Sequence, residues 1–241
     1  MRAIVALLCC WLAAGSVFAQ AGVEEIVVTA RSAEGARPGT YLRKTGDFLL
    51  LRVQVTNDTR EEEARKSEIH DTLRGALATA RKDGSIELSV VEGEIVIPLR
   101  VDSASVVLSA GPRPDTSTTA ISVKTRIPAK NADGQALISK LKDFVAAIKP
   151  VGRTQLAPDG TIDISIVGPD QYRDEIVRLC AEDTRKATAA IGPDYRVIVQ
   201  GLDRPVVWTR AGLLDLALFV PYSYVVLPSS VTSYLSAPTD Y

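Results

Sequence analysis

Three times along the chain, a stretch whose apolar positions alternate gives way to one whose apolar positions recur three and four residues apart. Phe48-Leu49-Leu50-Leu51-Arg52-Val53-Gln54-Val55 ends in strict alternation and predicts a strand with one buried face. Asn57-Asp58-Thr59 follows, and Thr59 with Glu62 fits a capping box. The helix it predicts carries Ile69, Leu73, Leu77 and Ala80 on one side, with Glu61/Arg65 and Glu62/Lys66 as outer i,i+4 pairs. The second round sets Ile121, Val123 and Thr125 against Ser122, Lys124 and Arg126, and Pro128 ends it. Asn131 is the expected cap of a helix striped by Leu137, Leu141, Phe144, Val145 and Ile148, which stops at Pro150 and Gly152. The third runs Ile162 to Val167, turns at Gly168-Pro169-Asp170, and continues as a helix with Tyr172, Ile176, Leu179, Cys180, Asp183 and Ala187 along one side, up to Gly192-Pro193.

Further strands are expected at Ile86–Val91, Glu94–Leu99 and Ala104–Leu108, and later at Tyr195–Gln200, Val206–Thr209 and Leu216–Leu227. The apolar run from Leu213 to Leu227, with Phe219, Tyr222 and Tyr224, reads as a core strand pair interrupted by Pro221. Strands outnumber helices and many are neighbours in sequence. That order predicts an α+β fold of repeated strand–helix units, with mixed or antiparallel sheets and three main helices packed on one face. The α+β region spans 47–227, as one body or as lobes at 47–111 and 116–227. A variable lead occupies 20–46, and the Ser- and Pro-rich segment 228–241 reads as a flexible tail.

The first residues change the picture. Met1-Arg2 opens an apolar run from Ala3 to Ala14, broken by Gly15-Ser16 and followed by Val17-Phe18-Ala19. This is the layout of a secretory signal peptide over 1–19, cleaved after Ala19. A spanning helix would need roughly 20 apolar residues, so no transmembrane span is expected in the mature chain. The destination is the periplasm or the outer membrane's inner surroundings. Cys9 and Cys10 leave with the signal, and Cys180 remains without a partner for an intramolecular disulfide. Cleavage removes Arg2 and no acidic residue, so the 28 basic residues fall by one against 29 acidic ones. A balance this close to zero excludes a nucleic-acid groove, which needs a concentrated basic field.

The chemistry-bearing residues point away from catalysis. His70 is the only histidine and lies between Lys66 and Arg74 on the solvated side of the first helix. Cys180 falls on an apolar stripe, where packing explains it. Glu61-Glu62-Glu63 suits a helix start, and Asp58, Asp159, Asp163 and Asp170 sit where turns and caps are expected. No catalytic, cofactor-binding or metal-ligating residue is assigned, and no cofactor. Carboxylates brought together by the fold are the one route left to an enzyme.

Two resemblances compete for the start of the mature chain. The strand Ile26-Val27-Val28-Thr29-Ala30, two strand-plus-helix units, and the late helix Ala181 to Gly192 leading into closing strands together resemble the SIMPL-domain family of exported bacterial proteins. The family's Gly-containing first strand and following Pro-Asp are replaced here by Thr29-Ala30-Arg31 and Pro38-Gly39. The resemblance implies an envelope α+β protein that acts by protein contact or self-assembly, with no catalytic residues to carry over. Locally, Glu24-Glu25-Ile26-Val27-Val28-Thr29-Ala30-Arg31 resembles the TonB box of TonB-dependent outer-membrane receptors. That resemblance implies an accessory protein whose extended segment, Glu24 to Ala30, adds a strand to TonB or another envelope protein. The chain is too short for a receptor's plug and barrel. One reading makes the segment an internal strand and the other makes it a free peptide.

Overall fold

The computed structural model describes residues 25–28, 39–100, 106–111, 113 and 115–231. The expected signal peptide, Glu24, Thr29, Ala30, most of the lead and the tail beyond Val231 lie outside the described residues. The fold is α+β and its ladders are antiparallel.

Strand β3 (Phe48–Asn57) shows how the fold closes. Its apolar run Phe48 to Leu51 is buried on both faces, which an exposed-face sheet would not do. Along its whole length it pairs on one side with β7 (Ser117–Arg126) and on the other with β8 (Thr154–Val167). From β8 the pairings pass to β1 (Glu25–Val28), then to β5 (Ile95–Pro98), to β4 (Ile86–Glu92) and back to β7. The ring of six strands is therefore closed. A two-residue strand β6 (Ser109–Ala110) is added outside the ring against the start of β7. A six-stranded barrel has an interior just wide enough for its own side chains.

The wall separates two apolar clusters. Leu49, Leu51, Val53 and Val55 point outward with Ile121, Val123, Leu88 and Ile164, beneath α1 (Glu62–Asp83) and α2 (Gly134–Ala147). Phe48, Leu50 and Val96 point inward. Helix α3 (Arg173–Ile191) follows a short 3-10 turn, Pro169–Tyr172. It covers a second sheet made of β2 (Leu42–Thr45), β11 (Asp215–Phe219) and β10 (Val207–Arg210), and leans on a ribbon of β9 (Tyr195–Gln200) and β12 (Ser223–Pro228). The outer cluster is continuous, joining Ile69 and Leu141 to Ile176, Cys180, Leu216 and Leu218. Only two of the three helices share the barrel face, since α3 has the smaller sheet.

Local chemistry departs from expectation in several places. Thr59 and Glu62 make no capping box: the α1 cap position is Glu61 and has no side-chain cap bond. Thr59 instead donates its hydroxyl to Glu68, whose carboxylate also accepts from Asn57 Nδ2 and the Arg153 amide. Glu61 does not pair with Arg65 on the outside. Arg65 is buried, with hydrogen bonds to Ser117 Oγ and the carbonyls of Thr59 and Arg60. Glu62 and Lys66 do pair, at 2.8 Å. Helix α2 is capped by Asp133, which accepts from the Gln135 and Ala136 amides, while Asn131 takes a left-handed φ of 54° two residues earlier.

Three expected strands also change. Strand β8 starts at Thr154 rather than Ile162, and the register slip opposite Arg52 absorbs the turn at Asp159-Gly160. No strand covers Val106 to Leu108, and 101–105 lies outside the described residues. The run Leu216–Leu227 is two strands that belong to different sheets: β11 pairs with β10 and β2, and β12 pairs with β9. The lead contributes β1 and β2, and Pro228 to Val231 form a turn held by bonds from Ser229 N to Asp194 O and Val231 N to Pro228 O.

Gly46 joins β2 to the barrel at its tightest approach. A Cβ there would stand 2.1 Å from Ile164 Cγ2 and 3.0 Å from the Ser165 carbonyl oxygen. Asp47 next to it ties three strands together, donating its amide to Ser165 O and accepting the Val167 amide and, at its carbonyl, the Ile127 amide. Replacing Gly46 with Ala is expected to destabilise the protein by about 1–3 kcal/mol, the usual cost of overpacking a rigid site. Urea unfolding followed by circular dichroism measures it, and an unchanged midpoint would contradict this packing.

Candidate functional site

Strand β1 occupies a defined place in the ring. Glu25 to Val28 pair with Val167 to Ile164 of β8, and Ile26 also faces Ile95 of β5. Ile26 is 3% exposed and belongs to the outer core. Alternation then turns Glu25 inward. Its carboxylate accepts from Ser165 Oγ at 2.6 Å and from Lys124 Nζ at 2.7 Å. Strand β7, which carries Lys124, stands opposite β1 in the ring, with two strands between them either way. The ion pair therefore crosses the barrel.

Lys124 is 6% exposed at its side chain and also meets Glu87 at 3.2 Å, at the more exposed rim. Its ammonium lies 4.1 Å from the centre of the Phe48 ring, and the Arg126 guanidinium lies 4.9 Å from the same ring. Two carboxylates and an aromatic face compensate a charge that burial alone would expel. Of the segment singled out from the sequence, Glu25 and Ile26 are thus anchored on opposite sides of the barrel wall, and Val27 and Val28 lie in the same ladder.

Asp163 does not sit at a turn. It lies within β8, opposite Leu50, 1% exposed, and neither carboxylate oxygen has a hydrogen-bond partner. Burial pushes its carboxyl above the ordinary value, against the pull of Arg52, 3.9 Å away, and of Arg210. Arg210 itself spends its donors on the carbonyls of Ile162, Gly212 and Leu213. Alternation placed Lys124 on a polar face and Asp163 was expected at a turn, but closure turns both inward. The signal for it was the unbroken apolar run at Phe48 to Leu51.

The other feature is the β9–β12 ribbon. Among the described residues its two strands pair only with each other, which leaves both outer edges open. Large apolar side chains on it stay exposed: Val225 is 51% exposed, Tyr195 40% and Tyr224 36%. Strand β12, Ser-Tyr-Val-Val-Leu-Pro, carries no charge. Monomeric proteins place lysines, bulges or covering loops on such edges.

Compared with known proteins, the chain matches no family model, no curated protein and no solved structure. The site has to be judged on its own chemistry. Among the described residues there is no group of three or more metal-ligating side chains, and no helix long and apolar enough to cross a membrane. His70 is half-buried on α1. Cys180 is buried on α3, and its burial raises the thiol above its ordinary value, so it packs as an apolar residue.

Two outcomes follow from the buried charges. Lys124→Met strands Glu25 and is expected to cost about 3–5 kcal/mol in urea unfolding, whereas the Glu25→Gln/Lys124→Met pair recovers much of it. A double variant no more stable than the single would contradict the pairing. Asp163 has a folded value above its unfolded one, so the native state binds the extra proton, and its penalty grows as pH rises through the folded value. Asp163→Asn should raise the melting temperature at pH 8, and the gain should shrink as pH is lowered toward the unfolded carboxylate range.

Proposed function

We propose that this protein is exported to the periplasm or the periplasmic side of the outer membrane and works there, without catalysis, as a SIMPL-like α+β protein that assembles with copies of itself. The signal-like pattern of residues 1–19 supports export. The order of strand–helix units and closing strands supports the family reading. The observation that carries self-assembly is the β9–β12 ribbon, a two-stranded sheet with both edges open and apolar side chains on both faces. A pair of strands is marginal alone, and adding strands satisfies edge amides and carbonyls while covering apolar area. A second copy suits the β12 edge because that strand is uncharged. Two β12 strands meeting antiparallel about a two-fold axis set no like charges opposite each other.

The TonB-contacting role of Glu24 to Ala30 is the second reading. What favours it is the thin seam between β1 and β5, which among the described residues is one residue pair, Ile26 and Ile95. A strand held by one pair on that side can be released more readily than β3, which is paired along both edges. Release would have to break the Glu25–Lys124 ion pair.

One experiment separates the two. Photo-crosslinking residues are placed at Val225 and at Val28 in the full chain and irradiated in intact envelopes, alongside light scattering on the purified mature protein. Self-assembly is expected to give an oligomer crosslinked through Val225, and Val225→Lys should shift it toward monomer. A strict monomer with capture of TonB through Val28 would overturn that reading in favour of the second.

A further inference from the structure

A cleft of about 370 Å³ opens where the start of the described lead, α3 and the β11–β12 connection meet. Its walls include Thr40, Asp183, Phe219, Tyr222 and Tyr224. The Tyr222 hydroxyl donates to Asp183 Oδ2 at 2.6 Å and lies 3.1 Å from Thr40 Oγ1, which can donate to it in turn. Burial, reinforced by the Asp183 bond, pushes the Tyr222 phenol up to about 12, so it stays a neutral donor. The Tyr222 and Tyr224 rings are stacked, 6.3 Å between centres and inclined by 25°.

The charge of this cleft is one-sided. Asp183 is the only Asp, Glu, Lys or Arg among the described residues that line it. One carboxylate oxygen is engaged by Tyr222, and the other has no hydrogen-bond partner among the described residues. Lys186, one turn along α3, lines the adjoining hollow but is held by Glu182 at 2.7 Å. A carboxylate oxygen with no hydrogen-bond partner among the described residues, in a cleft lined by aromatic rings, is an arrangement that can recognise a cation with apolar substituents. The carboxylate supplies the counter-charge and the rings supply cation–π contact. Among the described lining residues there is no cationic side chain to suit an anion, and the volume falls at the small end of ligand sites.

We infer that this cleft binds an alkylammonium group, with Asp183 as its counter-ion, Tyr222 holding that carboxylate in place and Tyr224 as the aromatic wall. The same chemistry is presented by a free alkylamine and by a lysine side chain of a peptide. The cleft shares Ser223 and Tyr224 with the start of β12, so the titration is repeated on the Val225→Lys protein, in which binding is read apart from assembly.

The test is a titration of the mature full chain by calorimetry and amide chemical shifts. The ligands are 1,5-diaminopentane, a capped lysine-containing tripeptide and, as an uncharged control, 1-pentanol. Saturable binding of the amine, with shifts grouped around residues 39–40, 183 and 219–224, is expected, and pentanol should leave those residues unmoved. Preference for the tripeptide assigns the site to lysine side chains, and preference for the diamine assigns it to free amines. Asp183→Asn keeps an acceptor for Tyr222 but removes the charge, and it should weaken binding about tenfold or more. Tyr224→Ala should weaken it by several-fold, and keeps the proposal testable if the first variant does not fold. No saturable shift with either amine, or equal binding by pentanol, or full affinity in a folded Asp183→Asn protein would overturn it.

Discussion

Lys124 points its ammonium into a barrel whose interior holds little beyond its own side chains, where an unpaired charge would cost several kcal/mol. It is tolerated because Glu25 reaches it from the opposite wall and because Phe48 offers a ring face 4.1 Å away. This contact also explains why a four-residue strand from the lead belongs to the domain at all. Among the described residues β1 has four residues and one pair to β5, so most of its ladder is the one to β8. Its apolar anchor, Ile26, faces the helices, and its charged anchor faces the barrel centre. Each face of the strand is thereby committed, and a slip of one residue would put Glu25 into the outer core and Ile26 beside Lys124.

The same closure divides the molecule into two working regions. The barrel side carries long ladders, two helices and a shared apolar cluster. The α3 side is more open, with a three-stranded sheet, a two-stranded ribbon and clefts between them. Exposed Tyr195, Tyr224 and Val225 and the aromatic cleft at Asp183 all fall on this side. A closed barrel thus carries an accessory layer whose strands are paired less fully.

Much of the fold was legible in the chain. Three helices lie close to where apolar stripes placed them, and β3, β4, β5, β7 and β9 fall near the alternating runs. Helix starts were read less well, for a common reason: short polar side chains near a helix start are interchangeable in sequence but not in space. Thr59 and Asn131 were each displaced as caps, Thr59 because Glu68 draws its hydroxyl away and Asn131 because Asp133 reaches two amides. Arg65 looked like an outer partner of Glu61 until Ser117 and two carbonyls on a neighbouring loop claimed it.

What the chain determined by itself was its periodicities: which residues form helices, which form strands, and that both kinds pack as α+β. Those depend on contacts within a few residues. What only the tertiary structure decided was which strand faces are inside. Ser122, Lys124, Asp163 and Ser165 alternate with apolar residues as a solvent-facing set would, and nothing local distinguishes a polar face in water from one turned into a closed ring. Closure joins Glu25 to Lys124 across 99 positions of sequence and Glu25 to Ser165 across 140. Contacts that distant leave no mark on local pattern, and they hold Glu25 to Val28 in the barrel wall.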